Sequence, residues 1–386
     1  MCSLAKANTK LTMMNGKQLQ IFLDFLRFCM GSAKGIPSSL KEADWKELYR
    51  IAQKQCMVGV LFDGIKKLPT EHVGMKKELL LQWMAESQML EKANIRLNDA
   101  AIQVSELFMK KGFRTCILKG QGNALLYPNP YSRTPGDIDI WVEGGDKRVI
   151  SFVRSISPHE KACYHHIDFP PYNGVEVEVH YRPSFLFCFR HDSRLQKYYE
   201  RVEEEQFSHK VMLEGYGKLA VPTAEFNIIF QLTHIFTHLM NEGIGLRQLL
   251  DYYYVLVKSD EVRVKNCTIS EGKANVTSLQ KELKHLGLWK FAGAVMYIMK
   301  EVFGMAESKL IVPPNEKYGK FVLNEVLEAG NFGTYDKRNC FGRSRLGHNI
   351  QRIYRDIRLM RYFPAEALSE PIFRVWHYFW RKRAHI

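Results

Sequence analysis

No two of the eight cysteines stand at C-x-x-C spacing: Cys2, Cys29, Cys56, Cys116, Cys163, Cys188, Cys267 and Cys340 are scattered, several of them inside apolar runs. Disulfide frameworks and zinc ribbons need close, patterned cysteines, so the scatter points to buried thiols in a reducing, cytoplasmic setting. Long hydrophobic runs are missing as well. Nothing approaches the ~18 apolar residues of a membrane helix, and "MCSLAKANTKLTMMNGK" has no apolar stretch of signal-peptide length, so no membrane span is expected. A G-x-x-x-x-G-K-S/T phosphate loop does not occur, which argues against a P-loop kinase or ATPase. H-E-x-x-H is absent too. His234 and His238 stand four apart, but position 235 is Ile, so a zinc protease lacks its general base; the pair is expected to pack or to face a substrate. No internal repeat or low-complexity tract interrupts the chain.

What is present is an ordinary globular composition, 46% hydrophobic and 25% charged over 386 residues. That length suffices for two or three domains or layers, since single cores stop growing near ~250–300 residues. Net charge is +14, and it is uneven. From Lys337 to the end, twelve basic side chains (Lys337, Arg338, Arg343, Arg345, Arg352, Arg355, Arg358, Arg361, Arg374, Arg381, Lys382, Arg383) face three acidic ones (Asp356, Glu366, Glu370). With Tyr354, Tyr362, Trp376, Tyr378, Phe379 and Trp380 interleaved, this stretch suits a nucleic-acid backbone with stacking support. The alternative, favoured on frequency, is a solvated helix face whose aromatics dock on the body.

Helical spacing of apolar positions predicts helices over 17–31, 44–67 and 76–111. At Gly112 the texture changes. "FRTCILKG" (113–120) and "DIDIWVE" (137–143) read as strands around a short helical turn, followed by a helix over 146–156. "CYHHIDF" (163–169), "PPYNG" and "VEVEVHY" (175–181) read as a hairpin. The stretch after Pro183 reads as irregular up to a helix at 221–240 that Thr223 caps; further helices are expected at 245–258 and 278–303. The expected class is α+β, a small mixed sheet flanked by helical regions. The expected boundaries are 1–111 (helical), 112–185 (the sheet), 186–305 (helical) and 306–386 (basic, aromatic-rich tail).

The chemistry concentrates in the sheet. In a strand, residues i and i+2 share a face about 6.6 Å apart at ~3.3 Å rise, so Asp137 and Asp139 project together while Ile138 and Ile140 enter the core. Two facing carboxylates repel unless a cation lies between them. Oxygen-only donors at this spacing suit Mg²⁺ or Mn²⁺, whose remaining ligands come from water and substrate phosphates. Glu176, Glu178 and His180 form a second same-face set, alternating with Val175, Val177 and Val179. If that strand lies beside 137–143, one of its glutamates completes a three-carboxylate site for two ions that hold the attacking and leaving oxygens of an in-line displacement. An isolated D-x-D is also common turn chemistry, and an alternating Glu/His strand can be a plain polar face. His165 and His166 are expected on opposite strand faces, so at most one reaches the site. Arg247 and Asp251, four apart, suit a helix-surface pair worth a few tenths of a kcal/mol or a place at a nucleotide cleft.

"ILKGQGNALLYPNPYSRTPGDIDIWV" followed by "VEVEVHYRP" resembles an uncharacterised bacterial family of the nucleotidyltransferase superfamily, whose core is polymerase-β-like. Its members show a Lys-Gly turn, an Arg a few residues before Gly-Asp-hydrophobic-Asp, and a later Glu-x-His. The likeness includes "WKELYRIAQKQCMVGVLFDGI", "PTAEFNIIFQLTHIFTH" and "GLRQLLDYYYVL", and spans roughly residues 40 to 300. It implies that Asp137, Asp139 and Glu178 hold Mg²⁺ (or Mn²⁺), with Glu176 a same-face neighbour outside that set. The superfamily at large has Gly-Ser in its first turn where this chain has Lys119 and Gly120. Phosphate binding then falls to the Lys119 ammonium, the amides around Gly120 and Gly122, and Arg133, with Gly136 and His180 also at the nucleotide. The implied activity moves a nucleoside monophosphate from an NTP such as ATP to a hydroxyl-type acceptor on RNA, protein or a small molecule. The alternative is a non-catalytic nucleotide- or nucleic-acid-binding protein that keeps the fold.

Overall fold

The computed structural model describes residues 16–69, 74–266, 269–338 and 345–384. The N-terminal stretch, Cys267, Cys340 and Arg343 lie outside them. Among the described residues the first α-helices are α1 (Gly16–Met30), α2 (Trp45–Lys54), α3 (Val58–Ile65) and α4 (Lys77–Lys110). The helix expected over 44–67 is two, because Gln55–Met57 breaks it with Cys56 at φ 55°. Next come β1 (Thr115–Ile117), the single turn α5 (Gln121–Ala124), β2 (Ile138–Val142), α6 (Gly145–Ile156), β3 (His166–Tyr172) and β4 (Val175–His180). The Asn173–Gly174 turn joins β3 to β4, with both residues at positive φ as the hairpin reading requires.

These strands form one mixed sheet in the order β1-β2-β4-β3. The central pair, β2 and β4, runs parallel, with Ile138 opposite Val177, Asp139 opposite Glu178 and Ile140 opposite Val179; β1 and β3 flank it antiparallel. Strand alternation sorts the two faces. Ile138, Ile140, Val142, Val177 and Val179 go down onto Leu97, Ala101, Val104 and Phe108 of α4 and Val149 and Val153 of α6. Asp139, Trp141, Glu178 and His180 turn to the opposite face, where Trp141 stacks on Phe226 at 5.8 Å.

The stretch after Pro183 is ordered rather than irregular: α7 (Phe189–Ser208) is followed by the hairpin β5 (Lys210–Leu213) and β6 (Gly217–Ala220). Its helix escapes a periodicity search because polar residues dominate "FRHDSRLQKYYERVEEEQFS" and its buried face includes Asp192 and Gln206 beside Leu195, Tyr198, Tyr199 and Phe207. Then α8 (Ala224–Asn241), capped by the Thr223 hydroxyl, and α9 (Leu246–Asn266) close over the polar face of the sheet. The last helix expected before the tail splits at Gly287, φ 75°, into α10 (Ile269–His285) and α11 (Trp289–Glu301).

The basic C-terminal stretch docks on the body. It comprises α12 (Glu316–Ala329), α13 (Arg345–Met360) and α14 (Pro364–Ala384). Phe363 packs edge-on against Phe236, Phe373 stacks on Phe185, and Trp376 meets Tyr164. Its arginines are largely engaged: Arg338 with Glu325 and Asp336, Arg358 with Glu325, Arg352 and Arg374 with Glu370, and Arg355 with the carbonyls of Asn241 and Glu242. Cys29 and Cys116 are buried free thiols. Among the described residues no helix is long and apolar enough to cross a membrane.

Phe108 is fully buried where α4 meets the sheet, with its ring against Phe113, Phe152 and Phe169. Phe108→Ala is expected to lower unfolding free energy by about 3–5 kcal/mol, measured by urea denaturation.

Candidate active site

The ladder between β2 and β4 sets Asp139 and Glu178 side by side, and Asp137 precedes β2 on the same side. One oxygen from each of Asp137, Asp139 and Glu178 lies within 4.8 Å of the others. Asp139 is almost wholly buried, at 1% exposure. Its Oδ1 accepts hydrogen bonds from the Lys119 ammonium and from His180 Nε2, each at 3.0 Å. Its Oδ2 is buried with no hydrogen-bond partner among the described residues. A buried carboxylate oxygen without a donor is costly. Such an oxygen, among two other carboxylates, is the donor set a hard divalent cation takes, so the residues fit the ion that the sequence implies.

The surrounding charges follow from this crowding. Burial pushes the Asp139 carboxyl up, but Lys119 and His180 outweigh it and hold the group below its ordinary range. Glu178 is likewise held low against burial, by His180 at 3.4 Å and His166 at 3.5 Å. His180 has acceptors at both ring nitrogens, Asp139 at Nε2 and the Arg182 carbonyl at Nδ1. Both nitrogens can then donate only as the imidazolium, in line with a basicity raised above the usual value despite burial. His234 is the opposite case. Burial, then the Lys119 charge, drive it well below the ordinary imidazole value, so its Nε2 accepts from the Lys119 ammonium at 3.1 Å.

Lys119 owes its position to the turn after β1. Gly120 has φ 63°, which starts α5 at once and leaves the preceding lysine directed at β2. On the other side of the cleft, Arg133 forks onto Asp251, Nε to Oδ1 and Nη2 to Oδ2 at 2.9 Å each, and Tyr127 donates to the same carboxylate at 2.7 Å. Arg133 and Asp251 are both buried. This clamp anchors the segment leading into Asp137, and Arg247 holds it again through Nη1 to the Thr134 carbonyl at 3.1 Å.

Of the residues singled out in the sequence for the site, Lys119, Gly120, Arg133, Gly136, Asp137, Asp139, Glu178 and His180 line one cavity of about 580 Å³, whereas Gly122 lies outside it, against Val221. Glu176 is exposed and lies outside this cavity, in the wall of an adjoining one that it shares with Gly136, Asp137 and Glu178. One reading is corrected, and of the two places open to Arg247 and Asp251 the cleft is the one they occupy. His165 and His166 both line the cavity, with their rings in contact at 3.0 Å; β3 begins at His166, so His165 lies in a bend where strand alternation does not apply. Arg247 and Asp251 are buried in the cleft, not a surface pair, because Asp251 is taken by Arg133. Sequence reasoning also passed over Asp168, opposite Glu178 across β3, and Phe332. The i, i+2 spacing of His166 and Asp168 was the available signal for the first.

A mixed sheet that brings together one carboxylate on β2, one just before it and one on the parallel β4, beneath helices that carry basic side chains, is an arrangement suited to nucleotidyl transfer. The model of a family described as uncharacterised nucleotidyltransferase matches residues 41–304. The chain belongs to that family, which makes it a transferase in general terms. No curated protein and no solved structure matches it.

Burial raises the Asp251 carboxyl, yet Arg133 overcomes this and holds it below the usual value. The stabilisation is therefore complete above the unfolded value of ~3.9 and is lost as pH falls through the folded one. Arg133→Met is expected to cost roughly 3–5 kcal/mol at neutral pH, with most of it recovered in Arg133→Met/Asp251→Leu; urea titrations across pH 2–7 read both effects.

Proposed function

We propose that the protein is a Mg²⁺- or Mn²⁺-dependent nucleotidyltransferase that moves a nucleoside monophosphate from an NTP to a hydroxyl-type acceptor. The observation that carries this reading is the buried, donor-free Oδ2 of Asp139 among the carboxylates of Asp137 and Glu178. Asp137 and Asp139 would hold the ions on the nucleotide side and Glu178 the one on the acceptor side. Bound there, divalent ions neutralise developing charge and lower the pKa of the attacking hydroxyl. The chain's own residues supply the geometry. The acceptor oxygen bonds to the α-phosphorus as its bond to the bridging oxygen breaks; pyrophosphate leaves and the hydroxyl proton passes to solvent. Lys119 steadies the phosphates as a fixed cation, joined by Nη1 of Arg133, which stands outside the Asp251 fork and donates to the Thr134 carbonyl at 3.4 Å. Backbone amides around Gly120 complete the cradle. His180 orients Asp139 and Glu178 at once and is a positioning residue.

Labelled NTPs incubated with the full chain, Mn²⁺ or Mg²⁺ and a lysate are expected to give labelled product that EDTA abolishes. Asp137→Asn, Asp139→Asn and Glu178→Gln should each abolish it, and Glu176→Gln should leave it intact. NTP binding without turnover across many acceptors would instead support a non-catalytic nucleotide binder. Separately, His180→Ala is expected to weaken Mn²⁺ binding about 10–100-fold, read by calorimetry; unchanged affinity would remove His180 from the ligand-supporting role.

A further inference from the structure

Phe332 reaches the cleft from beyond the segment that the family model matches. It sits in the one-turn stretch Asn331–Gly333 after α12, with φ 50° and ψ 33°. This is left-handed backbone, which an L-residue with a bulky side chain adopts at a cost and which Gly or Asn accepts readily. Gly330 and Gly333, at φ 65° and 66°, bracket it, and a Cβ on Gly333 would run into the Glu242 carbonyl oxygen. The turn is thus pressed onto the end of α8 and holds the ring in place.

Packing covers that ring only in part. Phe332 is 37% exposed, and the cavity wall includes it. Its centroid lies 5.2 Å from the His238 ring, and the Arg247 guanidinium lies 5.7 Å from it. From Phe332 a continuous run of contacts leads to the carboxylates. The His238 and His234 rings are 4.2 Å apart, His234 touches Lys119 at 3.1 Å, and Lys119 touches Asp139 at 3.0 Å. A strained, half-open aromatic with a cation alongside, in the wall of the cavity that Lys119 and the carboxylates also line, has the chemistry of a base-stacking platform.

We infer that the base of the NTP stacks on Phe332, with the Arg247 guanidinium beside it, while the triphosphate lies toward Lys119 and the carboxylates. This rests on the nucleotidyl-transfer reading and adds a base subsite supplied by the C-terminal region.

The test measures Kd of the full chain with Mn²⁺ for ATP, GTP, CTP and UTP in turn, and for inorganic tripolyphosphate, which has no base. Phe332→Ala is expected to weaken the preferred NTP about tenfold or more and to leave tripolyphosphate unchanged; Phe332→Trp retains NTP affinity. Phe332→Asn, which suits left-handed backbone, is expected to lose the same NTP affinity with an equal or higher Tm. The inference is overturned if Phe332→Ala binds NTP like the wild type, or loses NTP and tripolyphosphate equally. A lowered Tm in Phe332→Asn, or an effect confined to the acceptor's KM, overturns it as well. Wild-type protein that binds neither NTP nor tripolyphosphate would sink the underlying reading instead.

Discussion

Two carboxylates, Asp139 and Glu178, stand side by side because a hydrogen-bonded ladder leaves them no alternative, and Asp137 joins them from the residue just before β2. In the parallel pairing of β2 with β4, Asp139 lies opposite Glu178, and a one-residue slip would carry the glutamate to the apolar face. That slip is prevented from below, where Ile138, Ile140, Val177 and Val179 are buried against α4 and α6. Apolar burial beneath the sheet therefore offsets the electrostatic repulsion above it. The site can be no more precise than the packing of those four side chains.

Opposite charge completes the arrangement at two depths. Close in, Lys119 and His180 hold the Asp139 carboxyl, and His180 and His166 the Glu178 carboxyl, below the ordinary range inside a buried site. Farther out, the Arg133–Asp251 fork ties α9 to the loop that enters β2. A buried ion pair of this kind adds little net stability over apolar residues of similar shape. What it supplies here is orientation, since a bidentate fork fixes the loop in angle as well as distance.

Much of this was legible before any coordinates. Strict alternation in "DIDI" and "VEVEVH" declares which side chains share a face, and it placed Asp137, Asp139, Glu178 and His180 correctly relative to their own strands. Strand adjacency was a condition that spacing could not meet, because pairing across an intervening helix and hairpin is a tertiary choice. Long-range partner choice defeated local reading at Asp251. Its neighbour at i−4 is Arg247, but the guanidinium that reaches it belongs to Arg133, 118 residues away along the chain. Helix α7 was overlooked because its inner face buries an aspartate and a glutamine satisfied by hydrogen bonds, Asp192 through Tyr164 and the Leu186 amide, and Gln206 through Thr223. Phe332 gave no helical or strand signal at all, only two glycines at its sides.

Arg355 donates to the carbonyls of Asn241 and Glu242 at the end of α8, the helix that carries His234 and His238. The guanidinium comes from α13, well past the last residue of the family match. The inherited family segment and the C-terminal helices are thus mutually dependent: loss of the latter would leave α8 without its terminal donor and expose Phe236 to solvent.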